Sequence, residues 1–491
     1  MTTEDPDTLY TAVRAVAAAR PDAPAVETTG GDAVSYTELV ALVDRLAGGL
    51  AARGVRADDS VAFAMRNSIG YVALIIAVAR LGARYVPLMG NFDAADLRTA
   101  LDRTEPVLVV TDGHRELPPG PPTVGLDELG AADPLAEPAT EVHHRIFRTL
   151  WTSGSTGFPK LMAWRQDKFV RERRRWIADV DIRDTDAFLC RHTLDVAHAT
   201  DLHVFAALLS GARLVLADPA APADVLLRQL ATYGITVMSA LPKHYEDLVA
   251  AADGEVDLSR LRRPLCGGAY LPPAVIRRAD EVLGIRIRQI YGSTEFGLAL
   301  GNMTDEVQAD AGMIPVRGVG TRLEPFVETV GTEPDIGELV LKSDCTSEGY
   351  LGNDEANART FRTPEFWTGD VARRGPDGSY RILGRVSEAL ATPAGPVLAP
   401  MLDDEIAGTG AVDTAVCLAV HPGRYAAQVA VAVRPATGRS TDEVGKIVED
   451  VLRAHGLDGT VRFVDEIPRT PVGKIDKPLL RHRLGLSGGS R

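Results

Sequence analysis

Strand-like and helix-like segments alternate through the first three quarters of this 491-residue chain. Ala223 to Tyr233 has the periodicity of a helix, and Ile235 to Ala240 that of a buried strand. The pair repeats in the helical Pro273 to Leu283 and the strand-like Ile285 to Tyr291. Such alternation is typical of layers in which mostly parallel strands are joined by helices. The sequence therefore predicts an α/β fold, and its length predicts more than one domain.

The pattern changes after about residue 337. Glu338 to Lys342 and Tyr380 to Leu383 have the pattern of short strands separated by turns, which predicts a smaller β-rich subdomain. Two further apolar strands and an amphipathic helix follow, as expected for a compact α+β unit. We therefore expect a large N-terminal domain over 1–385, its β-rich subdomain over about 312–385, and a small C-terminal domain over 386–491.

The charge of the chain restricts its partners. A formal net charge of −14 argues against nucleic acid or an anionic membrane as a partner attracted by bulk electrostatics. The one basic run, Arg171 to Arg175, is interpreted as a solvated helix face. Four widely separated cysteines predict neither a zinc site nor a disulfide framework.

No segment has the pattern of a signal peptide or a membrane span. Met1 to Tyr10 is polar and acidic, unlike a signal peptide. The most apolar segment, Tyr71 to Leu88, is interrupted by two arginines and is interpreted as a buried helix and strand. A cytoplasmic protein is the expectation.

A loop rich in hydroxyls and glycines follows the apolar strand Ile146 to Trp151. Glycines let backbone N–H groups approach an anion closely, and hydroxyls and an ammonium add donors for phosphate oxygens. The order matches neither the G-x-x-x-x-G-K-[ST] nor the G-x-G-x-x-G signature. The loop predicts a polyphosphate site, with ATP as the ligand; the alternative is a flexible surface loop. Its binding candidates are Thr152, Ser153, Gly154, Ser155, Thr156, Gly157 and Lys160.

Further segments carry groups that suit a nucleotide. Thr294 and Glu295, after Tyr291 and Gly292 at a strand end, offer a hydroxyl and a carboxylate for Mg²⁺ on phosphate oxygens. Asp370, predicted to follow a tight turn, is placed to accept both hydroxyls of a ribose.

Three more candidates complete this set. The small-residue turn Gly267 to Ala269 and the aromatic Tyr270 suit a purine face, with Gly268 and Ala269 as backbone contacts. Arg385 ends a strand, and Lys474 lies in a proline-containing loop that is expected to be exposed. Taken singly, each of these features has a structural explanation as a turn, a cap or a tail lysine.

In this order the motifs resemble the adenylate-forming superfamily, which includes acyl-CoA synthetases, adenylation domains of nonribosomal peptide synthetases and beetle luciferases. The resemblance covers about Leu9 to Leu480. It implies that a carboxylate attacks the α-phosphate of ATP, giving an acyl-adenylate and pyrophosphate. It also implies a mobile C-terminal domain whose rotation lets a thiol of CoA or phosphopantetheine attack the adenylate.

The resemblance implies roles for individual residues. Thr152 to Lys160 would grip the β- and γ-phosphates, and Thr294 and Glu295 would attend the α-phosphate and Mg²⁺. Asp370 and Arg385 would hold the ribose. Lys474 would bridge the carboxylate and phosphate oxygens.

The hinge departs from the family pattern. Ser387 stands where an acidic residue or a lysine is usual, and Pro393 is expected to interrupt the strand that follows. Gly395 is the candidate for the glycine of the thiol tunnel. Adenylation is expected to tolerate these changes better than thioester formation does.

The acid pocket departs from the amino-acid-activating relatives. Ungapped counting places His198 where those relatives carry an aspartate for the α-amino group. His198 is interpreted either as a ligand for a carboxylate or ring substituent or as a structural histidine, and Asp195 and Asp201 remain possible pocket residues. The remaining pocket candidates are mostly small and apolar, which suits an aromatic or compact apolar acid: Ala199, Leu202, Ala240, Cys266, Gly267, Ile290, Leu298 and Ala299.

The first hypothesis is thus an ATP-dependent ligase that activates a small aromatic or related carboxylic acid. Its acceptor is CoA or a separate acyl carrier protein, by analogy with tailoring steps in secondary metabolism. Three alternatives stay open: an enzyme that loads an amino acid onto a carrier protein, one that adenylates another oxyacid such as nitrite, and a non-catalytic nucleotide-binding protein. The sequence makes no prediction of oligomeric state.

Overall fold

The computed structural model describes residues 8–136, 142–152, 158–252, 254, 256–302, 312–325, 335–393, 395–420, 428–470 and 474–486. Within these ranges the predicted α/β fold is confirmed, with layered sheets and a β-rich subdomain. No helix in the described part of the chain has both the length and the apolar character needed to cross a bilayer.

The first part of the chain alternates as predicted. Its elements are α1 (Leu9–Ala19), β1 (Pro24–Thr28), β2 (Ala33–Ser35), α2 (Tyr36–Ala52), β3 (Ser60–Ala64), α3 (Ile69–Arg80), β4 (Arg84–Pro87), α4 (Ala94–Thr104), β5 (Leu108–Thr111), β6 (Thr123–Val124), α5 (Leu126–Gly130), β7 (Ile146–Thr152), β8 (Lys160–Arg165), α6 (Gln166–Val180) and β9 (Ala187–Cys190).

The alternation continues to residue 301. The elements are α7 (Ala197–Ala199), a π-helical turn (Thr200–Val204), α8 (Phe205–Ser210), β10 (Arg213–Leu216), α9 (Ala223–Thr232), β11 (Val237–Ala240), α10 (Pro242–Ala250), β12 (Arg263–Cys266), α11 (Pro273–Leu283), β13 (Arg288–Ser293) and β14 (Gly297–Gly301).

Short strands dominate the remainder. The elements are β15 (Ile314–Pro315), β16 (Gly320–Glu324), β17 (Ile336–Lys342), β18 (Gly349–Tyr350), α12 (Asp354–Thr360), β19 (Phe361–Arg362), β20 (Glu365–Arg374), β21 (Tyr380–Arg385), a 3₁₀ turn (Val386–Glu388), β22 (Ala389–Thr392), β23 (Gly395–Leu398), α13 (Ala399–Gly408), β24 (Val412–Ala419), β25 (Gln428–Pro435), α14 (Thr441–Ala454), β26 (Asp458–Phe463) and α15 (Lys477–Arg483).

Two large sheets enclose the main core. One has the order β18-β8-β7-β4-β3-β5-β6, and the other β15-β14-β13-β12-β11-β9-β10-β1-β2. Their central strands are parallel. Antiparallel strands lie at both ends of the nine-stranded sheet and at the β18 end of the seven-stranded sheet. The core between them contains side chains of both sheets and of α1, α2, α3, α6 and α8. A second cluster covers the opposite face of the nine-stranded sheet with α9, α10 and α11.

The β-rich part and the C-terminal part have cores of their own. The strands β16, β17, β20, β19 and β21 form an antiparallel sheet. In the C-terminal part, α13 and α14 pack against the sheet β24-β25-β26 around buried side chains such as Val431 and Val448.

Three local expectations were wrong. The basic run on α6 is not simply a solvated face, because Glu172 and Arg173 are buried and hydrogen-bond to each other. Asp370 lies within strand β20 rather than after a tight turn. Pro393 does not interrupt a strand, because β22 and β23 form a hairpin in which Thr392 pairs with Gly395 and the proline lies in the turn.

Candidate active site

Strand pairing brings Asp370 and Arg385 together. The two residues are register partners on β20 and β21, and Arg385 Nε lies 2.8 Å from Asp370 Oδ1. Tyr291, at the end of the nine-stranded sheet, donates its hydroxyl to Asp370 Oδ2 at 2.6 Å. Burial raises the pKa of Asp370, and the neighbouring Arg385 and Tyr291 act against that rise. The carboxylate is therefore held in one orientation, with lone pairs left to accept ligand hydroxyls.

Tyr350 connects two other candidates, Glu295 and Lys160. The Tyr350 hydroxyl donates to Glu295 Oε1 at 2.7 Å, and Lys160 Nζ lies 4.6 Å from the centroid of the Tyr350 ring. Burial and the Glu295 charge raise the pKa of Tyr350, so the hydroxyl stays a donor. Tyr350 is not among the site residues that the sequence predicts. The structural feature that brings Tyr350 to the site is the pairing of strand β18 with strand β8.

The Thr294 segment is held by its backbone. The Trp164 indole donates to the Thr294 carbonyl at 2.7 Å, and the Ser347 amide donates to the Glu295 carbonyl at 3.2 Å. Gly292 cannot carry a side chain, because a Cβ there would lie 2.2 Å from the Gly297 carbonyl oxygen. The β13–β14 turn is thereby held tight, and it presents Glu295 toward Tyr350.

The fit of Mg²⁺ follows from this donor set. Among the described residues, no group of three or more His, Cys, Asp or Glu side chains is arranged to hold a metal ion. Glu295 supplies one carboxylate. Mg²⁺ is commonly bound through one or two carboxylates together with substrate phosphates and waters, so Glu295 fits an ion that arrives on a polyphosphate.

The glycine-rich loop joins two antiparallel strands. Thr152 ends β7, Lys160 begins β8, and the two residues are register partners. The predicted binding residues Ser153, Gly154, Ser155, Thr156 and Gly157 lie outside the described residues. Because a strand rather than a helix follows the loop, its donors would be backbone N–H groups, hydroxyls and Lys160, without a helix N-terminus.

Lys474 is not an exposed lysine, contrary to the sequence expectation. Its backbone closes a turn, in which the Thr470 amide donates to the Lys474 carbonyl at 2.7 Å. The residue is half-buried. Burial lowers the pKa of Lys474, as does the Arg385 charge, whereas Glu295 and Asp370 raise it. The ammonium therefore lies within the electrostatic reach of three other candidate residues.

The predicted purine-face turn also contacts the C-terminal part. The Tyr270 hydroxyl donates to the Asp404 carboxylate on α13. Ala269 is exposed, and Gly267 must lack a side chain because a Cβ there would lie 2.8 Å from the Ile290 carbonyl oxygen. Gly268 has φ +80°, and a Cβ on it would lie 3.7 Å from His198 Nδ1 and 3.8 Å from Lys474 Cε. A side chain at Gly268 would therefore contact both the histidine and the lysine.

The structure divides the acid-pocket candidates between two sheet faces. Ala199, Ile290 and Leu298 are buried in the core between the large sheets, and Leu202 packs against that core. Ala240 and Cys266 instead pack in the cluster on the opposite face. Ala240 and Cys266 therefore lie on the other sheet face from Val237 and Leu265, because successive side chains of a strand point to opposite faces, and their place in the pocket stays a prediction.

Two further residues bear on the predicted pocket. Ala299 packs with Phe296 and Met313 against the β-rich part, and its place in the pocket stays a prediction. On β11 the residue on the side of His198 is Ser239, which is fully buried and which the counting missed by one position.

His198 belongs to a cluster of four histidines. The ring centroids of His192 and His198 are 4.5 Å apart, and His203 and His244 lie 5.8 Å and 5.2 Å from His192. Burial lowers the pKa of each ring, to about 4 for His203 and His244. The cluster is therefore neutral at pH 7.

The two aspartates near this cluster have structural roles. Asp201 forms a two-pronged ion pair with the fully buried Arg148, with 2.7 Å between Arg148 Nη2 and Asp201 Oδ2. Asp195 Oδ2 accepts from the Gly90 amide at 2.7 Å. Asp201 is therefore committed to Arg148, whereas the buried Oδ1 of Asp195 has no hydrogen-bond partner in the described part of the chain, so Asp195 stays a pocket candidate.

The chain is similar to known proteins in sequence and in fold. A family model described as AMP-binding enzyme matches residues 13–351. A feruloyl-CoA synthase from Amycolatopsis sp. is 29% identical over 469 residues, covering 93% of this chain and 95% of the relative. The fold is similar to that of ATP-bound MatB from Rhodopseudomonas palustris, with a TM-score of 0.86, 22% identity, and coverage of 97% and 98% of the two chains. It is also similar to that of an anthranilate CoA ligase solved with anthranoyl-AMP, with a TM-score of 0.86, 20% identity and 97% coverage of both chains.

Proposed function

Because the chain belongs to the AMP-binding enzymes of the adenylate-forming superfamily, we propose that it activates a small carboxylic acid with ATP and passes the acyl group to a thiol. The first product is an acyl-adenylate, formed with release of pyrophosphate. The second is a thioester of CoA or of the phosphopantetheine on a carrier protein, formed with release of AMP.

One observation carries this proposal: residues from four separate segments meet. Asp370 and Arg385 pair on adjacent strands, and Tyr291 joins them from another sheet. Lys474 reaches the Gly268 turn from the C-terminal part, and the charges of Arg385, Asp370 and Glu295 act on the pKa of its ammonium. A half-buried lysine near an arginine does not stabilise the fold, because burying two positive charges close together costs free energy. A bound anion removes that cost, which favours a site for an anion such as a nucleotide phosphate.

The residues act mainly by positioning and charge neutralisation. An oxygen of the acid attacks the α-phosphorus, the bond from that phosphorus to the bridging oxygen breaks, and pyrophosphate leaves with the electron pair. Lys474 is proposed to neutralise the charge shared by the carboxylate and the α-phosphate during this step. Asp370 and Arg385 would hold the ribose, and Thr152 to Lys160 the departing phosphates. Mg²⁺, when bound beside Glu295, would supply further charge neutralisation.

We propose an aromatic or compact apolar acid as the substrate. The candidate pocket wall is apolar on the His198 side, with Ala199, Leu202, Ile290 and Leu298. A relative named as a feruloyl-CoA synthase, whose named product carries an aromatic acyl group, supports the same class. An amino acid is disfavoured by the pairing of Asp201 with Arg148. That alternative would depend on Asp195, which keeps one buried oxygen without a partner in the described part of the chain.

The C-terminal part, over 386–491, is proposed to move as a lid between the two half-reactions. Its contacts with the rest of the site would have to break for a thiol to reach the adenylate. These contacts are the Tyr270–Asp404 hydrogen bond and the approach of Lys474 to Gly268. Glu388, in the 3₁₀ turn at the boundary, accepts hydrogen bonds from Lys477 and from the Arg385 amide and would anchor the pivot.

Acid-dependent exchange of labelled pyrophosphate into ATP tests the first half-reaction. We expect exchange with at least one member of a panel of aryl, aliphatic and amino acids, and the strongest signal with an aryl acid. Adding CoA or a carrier protein, and measuring AMP release, tests the second half-reaction. Exchange with no carboxylic acid would contradict the proposal, and exchange with nitrite alone would replace it.

A further inference from the structure

We propose that the histidine cluster presents a hydrogen-bond donor beside the reacting carboxyl group, and that the acid is therefore a 2-hydroxy acid, either α-hydroxy or ortho-hydroxyaryl, rather than a 2-amino acid. This inference rests on the proposed function, because it names the substrate class of the same pocket. It depends on the hydrogen bonds of Ser239 and on the charges around His198.

His203 is fixed as a neutral ring by two backbone groups. The Ser239 amide donates to His203 Nε2 at 3.2 Å, so this nitrogen carries no hydrogen. The other nitrogen, Nδ1, lies 3.1 Å from the His198 carbonyl oxygen and must donate to it. His203 is thus not a ligand. Its ring bridges the Ser239 amide and the His198 carbonyl and so fixes the distance between them.

The Ser239 hydroxyl determines the tautomer of His198. Ser239 is fully buried, and within the described part of the chain the only hydrogen-bond partner of its Oγ is His198 Nε2, at 3.1 Å. If the histidine donated, the buried hydroxyl hydrogen would have no acceptor, which is costly. The hydroxyl therefore donates to Nε2, and the hydrogen of the neutral ring is on Nδ1.

The Nδ1 donor lies next to the place where the acid reacts. His198 Nδ1 and Lys474 Cε are 3.7 Å and 3.8 Å from one point above Gly268, the position that a Cβ there would take. The two atoms are therefore no further apart than the sum of those distances. Because Lys474 is proposed to contact the carboxylate, this separation lets an acceptor attached close to the carboxyl carbon reach Nδ1.

The charges around His198 select against an ammonium group at that position. The charged or chargeable groups that act on His198 are Lys474, His203 and His244, all of which are cationic when charged. No carboxylate among the described residues forms an ion pair or hydrogen bond with His198; Asp201 pairs with Arg148, and Asp247 on the neighbouring α10 pairs with Lys243. An α-ammonium would face a donor and a lysine, whereas a hydroxyl oxygen would accept from the donor.

Matched acids test the inference. Pyrophosphate exchange is measured with mandelate, phenylacetate and phenylglycine, and with 2-hydroxybenzoate, benzoate, 2-aminobenzoate and 4-hydroxybenzoate. We expect the 2-hydroxy member of at least one set to exceed its unsubstituted and 2-amino partners in kcat/KM by about tenfold, as for one added hydrogen bond. Preference for the 2-amino or unsubstituted members overturns the inference and leaves the proposed function standing. No exchange with any carboxylic acid overturns both.

A serine variant separates positioning from general damage. Ser239→Ala removes the hydrogen that sets the His198 tautomer, so the preference for the 2-hydroxy acid should shrink to about threefold or less. Ser210→Ala is the matched control, because the Ser210 hydroxyl donates to the Ala206 carbonyl of its own helix, and it should keep the wild-type preference. Equal preferences in wild type and Ser239→Ala contradict the assigned role of Ser239.

The tautomer itself has a readout that needs no activity. Nitrogen NMR of ¹⁵N-histidine-labelled protein, with the signal assigned through His198→Gln, should show Nδ1 protonated in the wild type at pH 7. Loss of that preference in Ser239→Ala would agree with the inference. A wild-type His198 protonated on Nε2, or a doubly protonated ring, overturns it.

Discussion

Tyr350 and Glu295 form a hydrogen bond of 2.7 Å between the seven-stranded sheet and the β13–β14 turn. The same tyrosine ring lies under the Lys160 ammonium. Glu295, which is proposed to bind Mg²⁺, and Lys160, which is proposed to bind phosphates, thus both contact the Tyr350 side chain. Movement of either would disturb the other, so Tyr350 is a positioning residue for both.

Tyr350→Phe is expected to lower pyrophosphate exchange by about 10- to 100-fold, because a hydrogen bond to a charged acceptor contributes about 1.5–3 kcal/mol. The concentration of Mg²⁺ needed for half-maximal exchange should rise as Glu295 loses its orientation. Tyr233→Phe, which removes a hydroxyl that donates to the Thr29 carbonyl, serves as control. An unchanged Mg²⁺ dependence would rule out the positioning role.

Lys474→Ala is expected to reduce exchange by at least about 10²-fold, because it removes a charge aimed at the reacting oxygens. The protein should remain folded, as judged by circular dichroism, because the lysine belongs to none of the apolar clusters. The control is Lys446→Ala on the exposed side of α14. Near-normal exchange in Lys474→Ala would show that the lysine has another role.

Gly268→Ala is expected to raise the KM for the acid roughly tenfold. Its Cβ would lie 3.2 Å from Leu241 Cδ2 and would fill the gap between His198 and Lys474. The matched control is Gly284→Ala, which has a similar positive φ of +64° but open space around the added Cβ. Equal effects of the two substitutions on KM would attribute the loss to backbone strain alone.

Asp201→Ala is expected to lower the free energy of unfolding by about 3–5 kcal/mol, because it leaves the buried Arg148 unpaired. Denaturant unfolding measures this loss. Asp184→Ala is the control, since its salt bridge to Arg20 is exposed and should contribute about 0–1 kcal/mol. A change in acid preference without a loss of stability would instead indicate that Asp201 contacts the acid.

Asp403 is expected to make the C-terminal part less stable as pH rises. Burial raises the pKa of Asp403 to about 7, above the value of about 4 in an unfolded chain. The folded state therefore binds the proton more tightly, so the associated stability is present below about pH 4 and is lost as pH rises to about 7. Asp403→Asn should reduce the fall in Tm between pH 5 and pH 8. The exposed Asp413→Asn should keep the wild-type dependence, and an equal fall in all three proteins would refute the assignment.

Periodicity was sufficient to predict which segments become strands and helices. The helix Pro273–Leu283 has its predicted bounds, and β11 and β13 begin two or three residues later than expected. Such errors are small for a helix, but one position on a strand changes the sheet face. Counting offered Ala240, for example, whereas the residue of β11 that hydrogen-bonds to His198 is its neighbour Ser239.

Local sequence by itself determined the α/β alternation, the glycine-rich loop and the order of the motifs, because turns, caps and hydrophobic period are properties of neighbouring residues. Only the tertiary structure decided which distant side chains meet. The half-burial of Lys474, the Tyr350–Glu295 bond and the four-histidine cluster depend on packing between segments far apart in the chain. Contacts of this kind are set by sheet register and by the burial of whole surfaces, which no single stretch of sequence encodes.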